Sequence, residues 1–90
     1  MIYKLKFMPK ALKDFKKLDG TIKSEFKKIL QKRLHNPLIE KHRLHGDLKG
    51  YYKIKLKSSA YRLIYRVIQQ DLVIVVVEVG RRDKIYKKIK

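Results

Sequence analysis

Ninety residues allow one domain with a modest hydrophobic core, and the apolar fraction of 44% is ordinary for a globular chain. Lysine and arginine number 25 against 8 acidic residues, a formal charge of +17. This charge predicts an anionic partner, which could be nucleic acid, a membrane surface or an acidic protein. We favour nucleic acid over a basic surface that is merely solvated. Cysteine is absent, which excludes disulfides and thiolate zinc sites, and the lack of a signal-peptide core or a bilayer-length apolar run predicts a cytoplasmic protein without a membrane partner.

The chain opens with a predicted strand and a predicted helix. Residues Ile2–Phe7 alternate in the manner of a half-buried strand. Pro9 suits a first helical turn, and apolar residues then recur at the spacing of an amphipathic helix, which Asp19–Gly20 is expected to end. The side chains expected to point inward are Tyr3, Leu5, Phe7, Ala11, Leu12, Phe15 and Leu18.

A second helix is predicted after a short turn, so that the two form an antiparallel hairpin. Thr21 can cap it, and Asn36–Pro37 ends it because proline disfavours a helical residue before it. Its apolar stripe consists of Ile22, Phe26, Ile29, Leu30 and Leu34. The basic residues expected to lie mostly off that stripe are Lys23, Lys27, Lys28, Lys32 and Arg33.

The stretch Tyr51–Arg66 predicts a β-hairpin. Two alternating runs flank the polar break Ser58–Ser59–Ala60, which suits a tight connection. One face of both runs is mainly apolar. The opposite face carries Lys53, Lys55, Lys57, Arg62 and Arg66. So dense a cationic face is costly in self-repulsion, and we expect a polyanion to bind there.

The segments on either side of this hairpin complete the predicted fold. Leu38–Gly50 is a basic loop, whereas Leu72–Val79 is apolar on both faces apart from Glu78, as in a central strand, and Gly80 is expected to end it. A basic tail follows. The order β-α-α-β-β-β-tail predicts a single α+β domain over residues 1–90, a small antiparallel sheet with the helical hairpin packed on one face.

Lysine, arginine and tyrosine are the candidate catalytic groups. The serines of Ser58–Ser59 have no histidine placed to activate them, and neither a glycine-rich phosphate loop nor paired carboxylates occur. His42 and His45 have a spacing that two metal ligands can use. Because Lys41 and Arg43 flank them, we expect a loop or a phosphate contact, and no metal or other cofactor.

Such groups can cleave RNA. A lysine whose pKa is lowered by neighbouring cations can deprotonate the 2′-hydroxyl, and a guanidinium can stabilise charge on the phosphate. A tyrosine can stack on a base. The residue pattern alone leaves open whether the basic sheet cuts RNA or only binds it.

Residues 44–86 strongly resemble the RelE branch of the RelE/ParE toxin superfamily. The core YKIKLKSSAYRLIY at residues 52–65 is specific to that branch, and ALKDFKKLDGTIKSEFKKIL at residues 11–30 is similar to its helical hairpin. The resemblance implies a RelE-like α+β fold and a metal-independent, ribosome-dependent endonuclease that cuts mRNA in the ribosomal A site. It also implies three partners: mRNA, a 70S-type ribosome and an inhibitory RelB-like antitoxin.

The resemblance also implies roles for individual residues. Lys53 and Lys55 match the two sheet lysines of the family, and Arg62 matches the arginine that stabilises the transition state. Arg82 best matches a proposed general acid, and Tyr86 best matches a tyrosine that stacks on the substrate. Further cations expected to contact RNA or the ribosome are Lys57, Arg66, Arg81, Lys23 and Lys27.

Two other functions stay open. One is a ParE-like toxin, which poisons DNA gyrase by binding, and the other is a non-catalytic RNA-binding domain. The joint presence of Lys53, Lys55, Arg62 and Arg82 favours the nuclease. The pattern does not decide which lysine is the base, or whether Arg81 replaces Arg82 as the acid.

Overall fold

Two helices and a four-stranded sheet make up the part of the chain that the computed structural model describes, residues 2–46, 49–57 and 59–81. In chain order the elements are β1 (Lys4–Phe7), α1 (Pro9–Lys16), α2 (Gly20–Arg33), a short 3-10 helix (Glu40–His42), β2 (Tyr51–Lys55), β3 (Tyr61–Ile68) and β4 (Val73–Arg81). The predicted order of helices and strands and the α+β class are confirmed. The tail from residue 82 onward lies outside the described residues.

The two helices begin where the sequence provides a start signal. Pro9 stands in the first turn of α1, where its missing N–H leaves no hydrogen bond unmade. Asp19 caps α2, because its carboxylate accepts a hydrogen bond of 3.3 Å from the Thr21 backbone N–H. The prediction of Thr21 as the cap was therefore wrong by two residues, and α1 ends at Lys16, before the expected Asp19–Gly20. No described helix is long and apolar enough to cross a membrane.

The strand order across the sheet is β1-β4-β3-β2. The pairs β2–β3 and β3–β4 are antiparallel as predicted, but β1 lies parallel to β4, so the sheet is mixed rather than wholly antiparallel. Short turns fix the direction of hairpin strands locally. The direction of β1 is instead set by a crossover through both helices and β2–β3, which strand periodicity does not encode.

The central strand β4 is longer than predicted. Gly80 pairs with Arg62, and Arg81 pairs with Tyr61, so the strand continues beyond the glycine that was expected to end it. Glycine lacks a side chain but keeps both backbone hydrogen-bonding groups, and the ladder therefore passes through it. This extension places Gly80 directly beside Arg62.

The core lies between the helices and one face of the sheet. Its buried members are Ala11, Phe15, Phe26, Leu30, Tyr52, Ile54, Leu56, Leu63, Tyr65, Ile74, Val76 and Val79. The Phe15 ring lies 5.1 Å from that of Phe7 and 6.4 Å from that of Phe26, centroid to centroid, which joins β1, α1 and α2. Both helices thus cover the same face, as predicted, although Leu5 remains 37% exposed.

Candidate nucleic-acid interface

The sheet face turned away from the helices, called the open face below, collects the principal predicted site residues. Tyr52, Ile54 and Leu56 of the β2 segment enter the core, so the alternate residues Lys53 and Lys55 lie on the open face. The same alternation in β3 places the residues between its core positions on this face, and they are Arg62, Ile64 and Arg66. Lys55 and Arg66 are exposed, whereas Lys53 and Arg62 are half-buried.

Lys55 and Arg62 lie directly opposite each other in the β2–β3 ladder. Side chains at such positions have Cβ atoms about 5 Å apart, a distance at which like charges destabilise a sheet. Gly80 lies on the other side of Arg62, and an added Cβ there would meet no described atom within 4 Å. The row Lys55–Arg62–Gly80 therefore places two cations next to a residue without a side chain, an arrangement that suits a phosphate group.

A β-bulge determines the next row of the open face. Ile64 pairs with Glu78 and Tyr65 with Val76, so Val77 is the extra residue in β4. The bulge reverses the alternation: Val76 points into the core, whereas Glu78 lies on the open face beside Ile64. Glu78 is 5% exposed, and its Oε1 accepts a hydrogen bond of 3.3 Å from the Val79 backbone N–H.

A shallow cavity of about 650 Å³ lies at the other end of the open face from the row Lys55–Arg62–Gly80, beside the start of α1. Apolar residues of β3 and β4, including Ile68 and Val75, form part of its lining. Tyr51, Arg66 and Glu78 add an aromatic ring, a cation and a carboxylate. A cavity of this composition can receive a base together with its phosphate.

Other predicted site residues are distributed more widely. Arg81 pairs with Tyr61, whose side chain packs on the core, so Arg81 lies on the opposite side of β4 from the open face. Lys23 and Lys27 belong to α2 on the helical side of the sheet, and the Lys23 Nζ donates to the Lys16 carbonyl oxygen at 3.1 Å. Lys57 is exposed beyond the end of β2. Arg82 and Tyr86 lie outside the described residues.

The loop before β2 brings His42 to the outer edge of that strand. Arg43 bridges to Tyr52, and the Leu44 backbone N–H donates to the Tyr51 carbonyl oxygen at 2.8 Å. Burial lowers the pKa of His42 below its usual value of 6.5, and the charges of Arg33, Lys41 and Lys53 lower it further. A largely neutral imidazole therefore lies near Lys53. The described residues hold no group of three or more His, Asp or Glu side chains that could bind a metal.

Sequence reasoning missed the burial of Arg33. This arginine was expected off the apolar stripe of α2, but it is 7% exposed, and its Nη1 donates to the Tyr65 hydroxyl at 2.8 Å. The signal was its spacing, seven residues after Phe26 and three after Leu30, which places it on the buried helical face. The long apolar stem of arginine allows such a position when its guanidinium finds acceptors.

Comparison with known proteins identifies relatives across nearly the whole chain. Residues 5–86 match the family described as ParE toxin of type II toxin-antitoxin system. A putative RelE-like toxin protein of Escherichia coli is 46% identical over 93% of this chain and 87% of its own length. The mRNA interferase toxin RelE of E. coli K12 is 44% identical over the same shares.

Solved structures show the same similarity. The isolated E. coli RelE toxin superposes with a TM-score of 0.84 at 44% identity, covering 88% of this chain and 83% of that one. The RelE chain of the intact E. coli RelBE toxin–antitoxin complex also gives a TM-score of 0.84 at 44% identity, with 88% and 95% covered. The likeness in fold therefore extends over most of the chain.

Proposed function

Because this chain belongs to the RelE/ParE superfamily of toxins from type II toxin–antitoxin systems, we propose that it is an mRNA interferase. It cuts mRNA in the A site of the ribosome and thereby stops translation. The observation that carries this proposal is the row Lys55–Arg62–Gly80 on the open face. Lys53 is the neighbour of Lys55 on the same face of β2. This row offers preorganised cations and space where a scissile phosphate can bind.

The proposed reaction is an in-line attack by the 2′-oxygen of the RNA. Lys53 or Lys55 removes the 2′-hydroxyl proton, and the 2′-oxygen bonds to phosphorus as the bond to the 5′-oxygen breaks. Arg62 stabilises the negative charge that develops on the phosphate oxygens. Arg82 protonates the departing 5′-oxygen, and Tyr86 stacks on a base to orient the substrate. The products are a 2′,3′-cyclic phosphate and a free 5′-hydroxyl, and each proton has a protein donor or acceptor.

The remaining cations are proposed to hold the toxin in the ribosome. Lys57 and Arg66 extend the basic surface beside the reaction site, whereas Lys23 and Lys27 project from the helical side. We place ribosomal RNA against both sides, because the A site encloses its occupant. This enclosure explains why the toxin needs the ribosome: few groups on a sheet of this size orient an arbitrary RNA for in-line attack. The proposed location is the cytoplasm, where translation occurs.

An acidic RelB-like antitoxin is the proposed protein partner. The solved structure of the E. coli relative cited above is that of a RelBE toxin–antitoxin complex. On this chain an apolar groove of about 480 Å³, lined in part by Leu5, Phe7 and Leu34, has Lys27 and Lys28 beside it. An amphipathic helix with acidic flanks fits this chemistry. Co-expression with the acidic protein of the adjacent reading frame should abolish toxicity, and unchanged toxicity would contradict the proposed partnership.

Ribosome dependence is tested with one mRNA in two states. The transcript is incubated with the purified toxin either free or bound to ribosomes with a vacant A site, and cuts are mapped by primer extension. We expect cleavage between bases of the A-site codon and negligible cutting of free transcript. Equal rates in both states would refute ribosome dependence, and no cutting in either would refute the nuclease.

Gyrase poisoning is the second candidate, because the matching family model is described by ParE toxins. The relatives named RelE, at 44 to 46% identity, favour the nuclease. The discriminating assay follows translation and gyrase supercoiling in the same extract. Loss of supercoiling with translation intact would favour gyrase poisoning over the nuclease.

A further inference from the structure

The buried end of α2 carries a charged side chain that takes no part in the cleavage steps above. Arg33 is the last residue of α2 and is 7% exposed. A buried guanidinium loses its hydration, and it persists only where other groups accept its hydrogen bonds. Within the described part of the chain no carboxylate forms an ion pair with Arg33. Neutral oxygens therefore hold it.

These oxygens belong to two strands of the sheet. The Arg33 Nη1 donates to the Tyr65 hydroxyl at 2.8 Å and to the Lys53 backbone carbonyl oxygen at 3.4 Å. The guanidinium carbon also lies 5.8 Å from the centroid of the Tyr65 ring, within the range of a cation–π contact. The Tyr65 hydroxyl in turn donates to the Pro37 carbonyl oxygen at 2.8 Å. The side chains of Arg33 and Tyr65 together thus connect α2, the loop after it, β2 and β3.

The contact with Lys53 falls on the outer side of an edge strand. β2 is last in the sheet order, with the β3 ladder on one side, where Lys53 pairs with Ile64, and the short bridge from Arg43 to Tyr52 on the other. On the other side Arg33 reaches the carbonyl of Lys53 itself. The backbone of a proposed catalytic lysine is therefore held from both sides.

We propose that Arg33 is a positioning residue for RNA cleavage. Buried on the helical side of the sheet, it fixes the backbone of Lys53 and so aims the Lys53 side chain toward the phosphate beside Lys55 and Arg62. This inference rests on the proposed function. An error of about 1 Å in the placement of a reacting group can cost about a hundredfold in rate, so even a single weak backbone contact can control catalysis.

The test compares three variants of the full chain in single-turnover cleavage of ribosome-bound mRNA. Arg33→Met keeps the length of the side chain but removes its donors, and Arg33→Lys keeps the charge with a single ammonium. Lys32→Met alters the exposed neighbour on the same helix and is the matched control. At saturating toxin we expect Arg33→Met to cut about ten- to a hundredfold more slowly, with Arg33→Lys intermediate and Lys32→Met within about twofold. The toxin concentration for half-maximal rate should change by less than about twofold in all three, since the cations proposed to bind the ribosome, Lys57, Arg66, Lys23 and Lys27, all remain.

A double-variant cycle separates positioning from general damage to the fold. Since Arg33 acts through Lys53, adding Arg33→Met to Lys53→Ala should slow cleavage by less than about twofold beyond Lys53→Ala alone. Thermal unfolding confirms that each variant is folded at the assay temperature. Losses that multiply in the double variant, or a normal maximal rate in folded Arg33→Met, would overturn the proposal.

If Arg33→Met does not fold, Arg33→Lys takes its place in the same cycle. If the wild-type chain cuts nothing, the proposed function fails. NMR then tests separately whether Arg33 contacts the Lys53 backbone. The backbone carbonyl and amide resonances of Lys53 should move in Arg33→Lys while those of Lys57 do not, and unmoved Lys53 resonances would overturn the proposal.

Discussion

Arg62 is the residue whose removal distinguishes a catalytic sheet from a merely basic one. It lies between Lys55 and Gly80 in one row of the open face. As a surface cation alone, it would affect stability by about half a kcal/mol or less on removal. As a preorganised donor to the phosphate, it should contribute a factor of about a hundred to a thousand in rate.

We therefore expect Arg62→Ala to fold, to bind ribosomes and to cleave about a hundred- to a thousandfold more slowly. Arg62→Lys should restore little, because an ammonium cannot reproduce the planar fork of a guanidinium. Single-turnover cleavage of A-site mRNA at saturating toxin measures the effect, with Lys13→Ala, a change at an exposed residue of α1, as the control. Near-normal cleavage by Arg62→Ala would show that Arg62 is one of many surface cations and has no specific role in catalysis.

His42 is predicted to make stability depend on pH. Its pKa in the folded chain is below 6.5, because burial and the nearby Arg33, Lys41 and Lys53 disfavour the imidazolium. The unfolded chain therefore binds a proton first as the pH falls, and the free energy of unfolding should decrease from pH 7.5 toward pH 5.5. Urea denaturation should show a smaller decrease in His42→Gln but the full decrease in His35→Gln, which alters an exposed histidine. Equal pH dependence in His42→Gln and wild type would contradict the assignment.

At the scale of elements, the Tyr65 hydroxyl links α2 to the sheet. It accepts from Arg33 and donates to the Pro37 carbonyl oxygen, both at 2.8 Å, and burial raises its pKa so that it keeps its proton. Its ring stacks on that of Tyr52, with centroids 5.6 Å apart and planes 13° apart. The aromatic pair packs the strands together, and the hydroxyl attaches the helix end to them.

Tyr65→Phe should lower the free energy of unfolding by about 1–3 kcal/mol, because it leaves the Pro37 carbonyl without this donor and the buried Arg33 guanidinium with only its longer hydrogen bond to the Lys53 carbonyl oxygen. Tyr52→Phe is the control, since it keeps the stacked rings and both hydrogen bonds of Tyr65. Equilibrium denaturation of the two variants measures the difference. A loss in Tyr65→Phe no greater than in Tyr52→Phe would show that water replaces the missing hydroxyl.

At the scale of the whole molecule, the charge of +17 separates the two proposed partners. Ribosome binding depends largely on phosphate contacts, which release counterions and weaken steeply as salt rises. Antitoxin binding also buries apolar surface, on which salt has little effect. The same cations therefore contribute to both complexes, but to different extents.

Between about 0.05 and 0.2 M salt, we expect the affinity for ribosomes to fall at least tenfold more than the affinity for the antitoxin. Sedimentation with ribosomes and calorimetry with the acidic antitoxin measure the two. Lys23→Ala/Lys27→Ala should reduce the salt dependence of ribosome binding, whereas the same change at Lys10 and Lys13 should leave it closer to wild type. Parallel decreases of both affinities would contradict an apolar component in the antitoxin complex.

The sequence by itself determined the parts of this protein that depend on neighbouring residues. Alternation in Tyr51–Arg66 indicated which side chains share a face, and the structure places Lys53, Lys55 and Arg62 together as predicted. Helical spacing identified the core face of α2. The motif at residues 52–65 indicated the family that the comparisons confirm. These signals are local because a strand or a helix fixes the direction of each side chain relative to its neighbours. The roles assigned to Arg82 and Tyr86 stay predictions.

Only the tertiary structure decided features that depend on contacts between distant segments. The parallel direction of β1 follows from its crossover to β4, and the passage of β4 through Gly80 follows from pairing with Arg62. The bulge that turns Glu78 to the open face is a slip in register between β3 and β4, which apolar runs on both strands do not specify. The spacing of Arg33 indicated the buried face of α2, but its charge predicted an exposed side chain. Burial became favourable only because Tyr65 and Lys53, from two strands of the sheet, supply the acceptors that its guanidinium needs.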